Sequence, residues 1–89
     1  MSALTTYLDR KNSFAKIFGG KALSLQNAKD RQSIADSIDS DLSPEMLTCD
    51  GELPRSQVKA RKKELMTAAK QLKKLDPLVT FYEYDSEIA

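Results

Sequence analysis

Arg55, Lys59, Arg61, Lys62, Lys63, Lys70, Lys73 and Lys74 place eight cations within twenty residues, against one acid, Glu64. The chemistry such a run supports is electrostatic: it can neutralise phosphates and release their counterions, or meet an acidic protein surface. Base edges are read mainly by Arg, Asn and Gln, whereas lysine dominates here, so a nucleic-acid role would be backbone binding without sequence preference. No helix-turn-helix signature precedes the run, and no aromatic residues interleave with its lysines as single-strand binders require. The candidate phosphate or partner contacts are therefore Arg55, Lys59, Lys62, Lys63, Lys70, Lys73 and Lys74.

The flanking segments change the meaning of that run. Gln32 to Pro54 carries Asp36, Asp39, Asp41, Glu45, Asp50 and Glu52 without a base, and Leu75 to Ala89 carries Asp76, Glu83, Asp85 and Glu87. The blocks amount to −6, +7 and −4 on a chain whose total is +1. A basic segment set between acidic ones favours a charge-balanced fold, or a protein partner, over an arm that seeks phosphate.

Catalytic and metal chemistry find little support. Histidine is absent, which removes the usual general base at neutral pH and every triad built on imidazole. Asp39, Asp41, Ser43 and Asp50 echo the spacing of a calcium loop, yet Pro44 stands where glycine must turn and Asp50 replaces the bidentate glutamate. Helix caps and a solubilising acidic loop explain the same residues. The single cysteine, Cys49, has no basic neighbour in sequence to favour a thiolate, so it reads as a packing residue. The expectation is a non-enzyme with no catalytic, cofactor-binding or metal residues and no cofactor.

The elements that must position these residues follow from periodicity and punctuation. The longest helix is expected over 54–75, bracketed by Pro54 and Pro77. Pro54 has the fixed φ of a first helical residue, and Pro77 forces Asp76 out of the helical region. Val58, Leu65, Ala68, Ala69 and Leu72 share its apolar face with Leu75 at the edge, and Arg61 is the one cation on that side. A first helix over 2–18 has Leu4, Tyr7, Leu8, Phe14, Ala15 and Phe18 at helical spacing, Ser2 to cap it and Gly19-Gly20 to end it. Asn12-Ser13 is its weak point, Lys11 lies on its apolar side with a stem that can snorkel, and Phe14, Ile17 and Phe18 read as core.

A second helix over 27–40 would bury Ala28, Ile34, Ala35, Ile38 and Leu42, with Arg31 among them. Ser43-Pro44-Glu45 starts a one-turn helix over 44–47. Lys21 to Leu25 is a linker or a brief strand. Leu78 to Tyr84 changes period and is rich in β-branched and aromatic residues, so it reads as strand or extended chain. A lone strand leaves its backbone groups unpaired, so this segment pairs with Lys21–Leu25, pairs with a second copy or a partner's sheet, or lies over the helices with its aromatics as anchors. Leu78, Phe81, Tyr82 and Tyr84 are the candidate self-association residues.

The 89 residues make one small domain of mainly α class, and α+β if the carboxyl-terminal segment pairs in a dimer. A hydrophobic content of 40% without tryptophan gives a thin core, which favours a homodimer. The amino terminus lacks a secretory pattern, no stretch reaches the roughly 20 apolar residues of a membrane span, and one cysteine suits a reducing compartment. The sequence thus points to a cytoplasmic protein-interaction or regulatory module of bacterial or phage type. Its partners would be a second copy or an unknown protein, with no membrane contact. The alternative is a weak nucleic-acid binder using the basic face of helix 54–75.

Overall fold

The computed structural model describes residues 2–48 and 51–88, the last two by backbone alone. Five helices follow in order: α1 Ala3–Ile17, α2 Ala28–Leu42, α3 Pro44–Thr48, α4 Arg55–Leu75 and α5 Glu83–Ile88. The fold is mainly α, and there is no strand among the described residues. Cys49 and Asp50, and with Asp50 the last place of the calcium-like spacing, lie outside the described residues.

The caps are those the residue types demand. Ser2 accepts from the Thr5 N–H at 3.1 Å, and Asn27 accepts from the N–H groups of Lys29 and Asp30 at 2.9 and 3.4 Å, so side-chain oxygens satisfy donors left over by the first helical turn. Pro54 sits one place earlier than expected, at the N-cap with an extended ψ of 152°. Asp76 leaves the helical region at the other end while its N–H still bonds the Leu72 carbonyl at 2.8 Å, as a residue before proline must. Helix α1 does not break at Asn12-Ser13. The Asn12 amide is turned outward instead, accepting from the Leu23 N–H at 2.8 Å and donating to the Leu23 carbonyl at 2.9 Å. That pair of bonds holds Lys21–Leu25 as irregular chain against α1.

Helix α4 is the element on which α1, α2 and α3 pack, while α5 packs on α2. The Leu4 N–H at the start of α1 donates to Gln71 late in α4, and Arg31 near the start of α2 pairs with Asp76 just past the end of α4. Both helices therefore run against α4. Ile34, Ile38 and Leu72 are the largest fully buried side chains, joined by Leu4, Leu8, Ala35 and Leu65 in one apolar cluster. Alanines at 68 and 69 are fully buried as well, which lets neighbouring backbones approach α4 closely. Val58 is only half-buried, and Ala28 and Leu75 are exposed.

Two expectations require correction. Phe14, Ile17 and Phe18 are not core: they are 56%, 75% and 81% exposed, because residues 20–23 pack on α1 at Asn12 and Ala15 and leave these three side chains uncovered. Residues 78–84 form no strand and take instead the last of the arrangements expected for them, chain laid over the helices, with Glu83 and Tyr84 already in α5. Val79, Phe81 and Tyr84 are buried, and the Phe81 and Tyr84 rings meet edge to face at 5.3 Å, so the segment lies over the helices with aromatic anchors. The backbone groups that a lone strand would leave unpaired are taken by α2 side chains. The Thr80 N–H donates to Gln32 Oε1 at 3.0 Å, and Gln32 Nε2 donates back to the Thr80 carbonyl at 3.2 Å. Asp39 accepts from the Tyr82 and Tyr84 N–H groups at 2.7 and 3.3 Å. With those donors satisfied, the chain turns into α5 at Glu83.

Candidate functional site

Asp41 follows Ile34 by seven residues and Ile38 by three, so the helical period sets its carboxylate at the edge of the buried face of α2. A carboxylate held there needs donors. Tyr7 on α1 supplies one, its hydroxyl donating to Asp41 Oδ2 at 2.7 Å, and Lys11 one turn later places Nζ 3.0 Å from the same oxygen. With its proton given to Asp41, the Tyr7 oxygen accepts from the Ser37 hydroxyl at 2.8 Å. Burial, reinforced by the Asp41 charge, pushes the phenol well above its ordinary value despite the Ser37 bond. Tyr7 is thus a fixed donor rather than an acid that titrates near neutrality.

This network floors a cavity of about 480 Å³ between α1 and α4. Its cationic lining is Arg10 and Lys11 from α1 and Arg61 from α4, against the carboxylates of Asp41 and Glu64. Ala3, Phe14 and Leu65 give it apolar wall. Lys11 is committed to Asp41 and sits 5.5 Å over the Tyr7 ring. Arg61 differs from the other arginine on an apolar helix face. Arg31 places Nε 2.6 Å from Asp76 and donates Nη1 to the Leu25 carbonyl at 2.9 Å. The Arg61 Nε is buried yet has no hydrogen-bond partner among the described residues.

The apolar wall continues outward. Phe14 stacks on Phe18, with ring centroids 6.5 Å apart and planes 3° from parallel, and Ile17 lies three residues after Phe14, on a neighbouring row of the helix surface. The cavity and this exposed apolar end of α1 share Phe14.

The residues singled out by charge lie elsewhere. Arg55, Lys59, Lys63, Lys70 and Lys74 are exposed on α4, while Lys62 and Lys73 are half-buried. None of them lines the cavity. Lys73 reaches the acidic tail, with Nζ 2.7 Å from Asp85 and 6.0 Å over the Tyr84 ring, so part of the charge balance is met inside the fold. The proposed self-association set divides: Phe81 and Tyr84 are buried, whereas Leu78 and Tyr82 are 88% and 79% exposed.

No protein-family model, curated protein or solved structure matches the chain. Function must therefore be argued from the site itself.

Sequence reasoning passed over Tyr7, Arg10, Lys11, Asp41 and Arg61 as site residues. The usable signal was the pairing of misplaced charges: Lys11, Asp41 and Arg61 each fall on the apolar side of their helix. Among the described residues no group of three His, Cys, Asp or Glu is placed to hold a metal ion. No helix among them is long and apolar enough to cross a membrane. What the cavity offers is hydrogen-bond donors, three cations and two carboxylates beside apolar wall.

Proposed function

We propose that the protein is a non-enzymatic protein-interaction module of the cytoplasm that engages its partner through the carboxyl-terminal end of α1. The observation that supports this reading is the exposed apolar group of Phe14, Ile17 and Phe18. Large side chains clustered in this way are the usual mark of a surface that another protein covers. Arg10, Lys11 and Lys16 flank the group, with only Asp9 against them on that stretch of α1. A complementary partner segment therefore carries apolar anchors among carboxylates.

The test is affinity capture from the native host with the full chain and with the double variant Ile17→Ser, Phe18→Ser. Retention of a protein by the wild type and its loss by the variant supports the reading. Equal retention by both contradicts it. Self-association would use Leu78 and Tyr82, and sedimentation of the chain and of a Leu78→Ser, Tyr82→Ser variant reads that directly.

A second reading rests on Lys59, Lys63, Lys70 and Lys74, exposed at helical spacing along α4. It is a sequence-indifferent nucleic-acid surface. Binding of a labelled DNA or RNA oligomer that is strongest at low salt would support it, and no binding there excludes it.

A further inference from the structure

We propose that the cavity between α1 and α4 is a binding site for a carboxylate carried on an apolar stem, with the Arg61 guanidinium as its principal ligand. This site is separable from the docking role of Ile17 and Phe18, neither of which lines the cavity.

Arg61 carries the argument. A buried guanidinium nitrogen without an acceptor is costly, and native structures rarely keep one unless something else supplies the acceptor. The planar donor fork of arginine matches the two oxygens of a carboxylate. Arg10 adds a second guanidinium to the same lining. Asp41 is not that acceptor in this structure: its Oδ2 is engaged by Tyr7 and Lys11, and no hydrogen bond joins it to the Arg61 Nε. Phe14, Leu65 and Ala3 form the apolar part of a lining that also carries the Thr6 hydroxyl, and an apolar stem fits against those three. The volume of about 480 Å³ suits a small organic acid or one side chain of a docked peptide. Burial keeps Tyr7 a neutral donor, and the two carboxylates of the lining, Asp41 and Glu64, are outnumbered by the cations of Arg10, Lys11 and Arg61.

Hexanoate, hexanamide, inorganic phosphate and a blocked tripeptide with glutamate between two leucines are titrated separately into the full chain. The readout is the Arg61 Nε–H resonance in nitrogen-15 spectra. The expected result is saturable movement with hexanoate at a dissociation constant of about 1 mM or below, the range for a ligand of that size. Hexanamide and phosphate should be at least roughly tenfold weaker, since one lacks the charge and the other the stem. Arg61→Gln should weaken hexanoate roughly tenfold or more, with Arg61→Lys between the two. The Ile17→Ser, Phe18→Ser variant should bind hexanoate like the wild type, so failure of the docking role and failure of this site are told apart. Tighter binding of the tripeptide than of hexanoate assigns the natural carboxylate to a protein partner, and the reverse assigns it to a small acid. No saturable shift with either carboxylate, or equal shifts with hexanoate and hexanamide, overturns the proposal using the wild-type protein alone.

Discussion

The Tyr7 hydroxyl donates to the Asp41 carboxylate at 2.7 Å, which joins two helices that both pack on α4 and fixes a buried charge beside the cavity. Removing the donor leaves Asp41 with Lys11 alone in that network, so Tyr7→Phe is expected to cost about 1–3 kcal/mol. Urea unfolding followed by circular dichroism measures it. A change within about 0.5 kcal/mol, the range of an indifferent surface substitution, would show that the bond is not made in solution.

Leu72 and Phe18 separate core from surface. Leu72 is fully buried on α4, so Leu72→Ala is expected to cost roughly 2–5 kcal/mol through lost burial and a residual cavity. Phe18→Ser should stay within about 0.5 kcal/mol of the wild type. Similar losses for both in thermal or urea unfolding would place Phe18 back in the core.

Arg31 and Asp76 give the fold a pH dependence of known sign. The hydrogen bond from Arg31, then that from the Leu78 N–H, holds the Asp76 carboxyl below the ordinary value of about 3.9. The folded state therefore binds this proton less readily than the unfolded chain. Its stabilising contribution is complete above the unfolded value and disappears as pH falls through the folded one. The stability gap between wild type and Asp76→Ala should be full near pH about 6 and should close below about 4. A gap independent of pH would sink this assignment.

Asp39 latches the carboxyl-terminal segment by accepting from the Tyr82 and Tyr84 N–H groups. Asp39→Ala is expected to speed hydrogen exchange at those two amides by roughly tenfold, with the amides of α1 unchanged. A uniform change across the chain would mean that the segment opens only with the whole fold.

Local chemistry made most of the helices legible and left the site hidden. Ser2, Asn27, Pro44, Pro54 and Pro77 mark boundaries because capping oxygens and the proline ring act within a few residues. The first helix is expected to run through Asn12, and what was not readable is the role of that amide, since its partner is the Leu23 backbone, a tertiary contact. Periodicity placed Phe14 and Phe18 on one face with Leu4 and Leu8, but a shared face does not say how far along the helix something covers it. For Phe81 and Tyr84, strand propensity marked residues suited to a half-buried surface. That surface was helical. The cavity needs the relative placement of α1, α2 and α4, and only the misplaced charges of Lys11, Asp41 and Arg61 hinted at it.

Under the proposed function a partner docks on the end of α1 rather than on the lysine face of α4. The most direct measurement is the dissociation constant of the captured partner for the wild type, for Ile17→Ser, Phe18→Ser and for Lys59→Glu, Lys63→Glu. The expected result is at least roughly tenfold weakening for the α1 variant, the size of one interface anchor or more, and less than about threefold for the α4 variant. Loss of binding in the α4 variant with α1 substitutions tolerated would contradict the account.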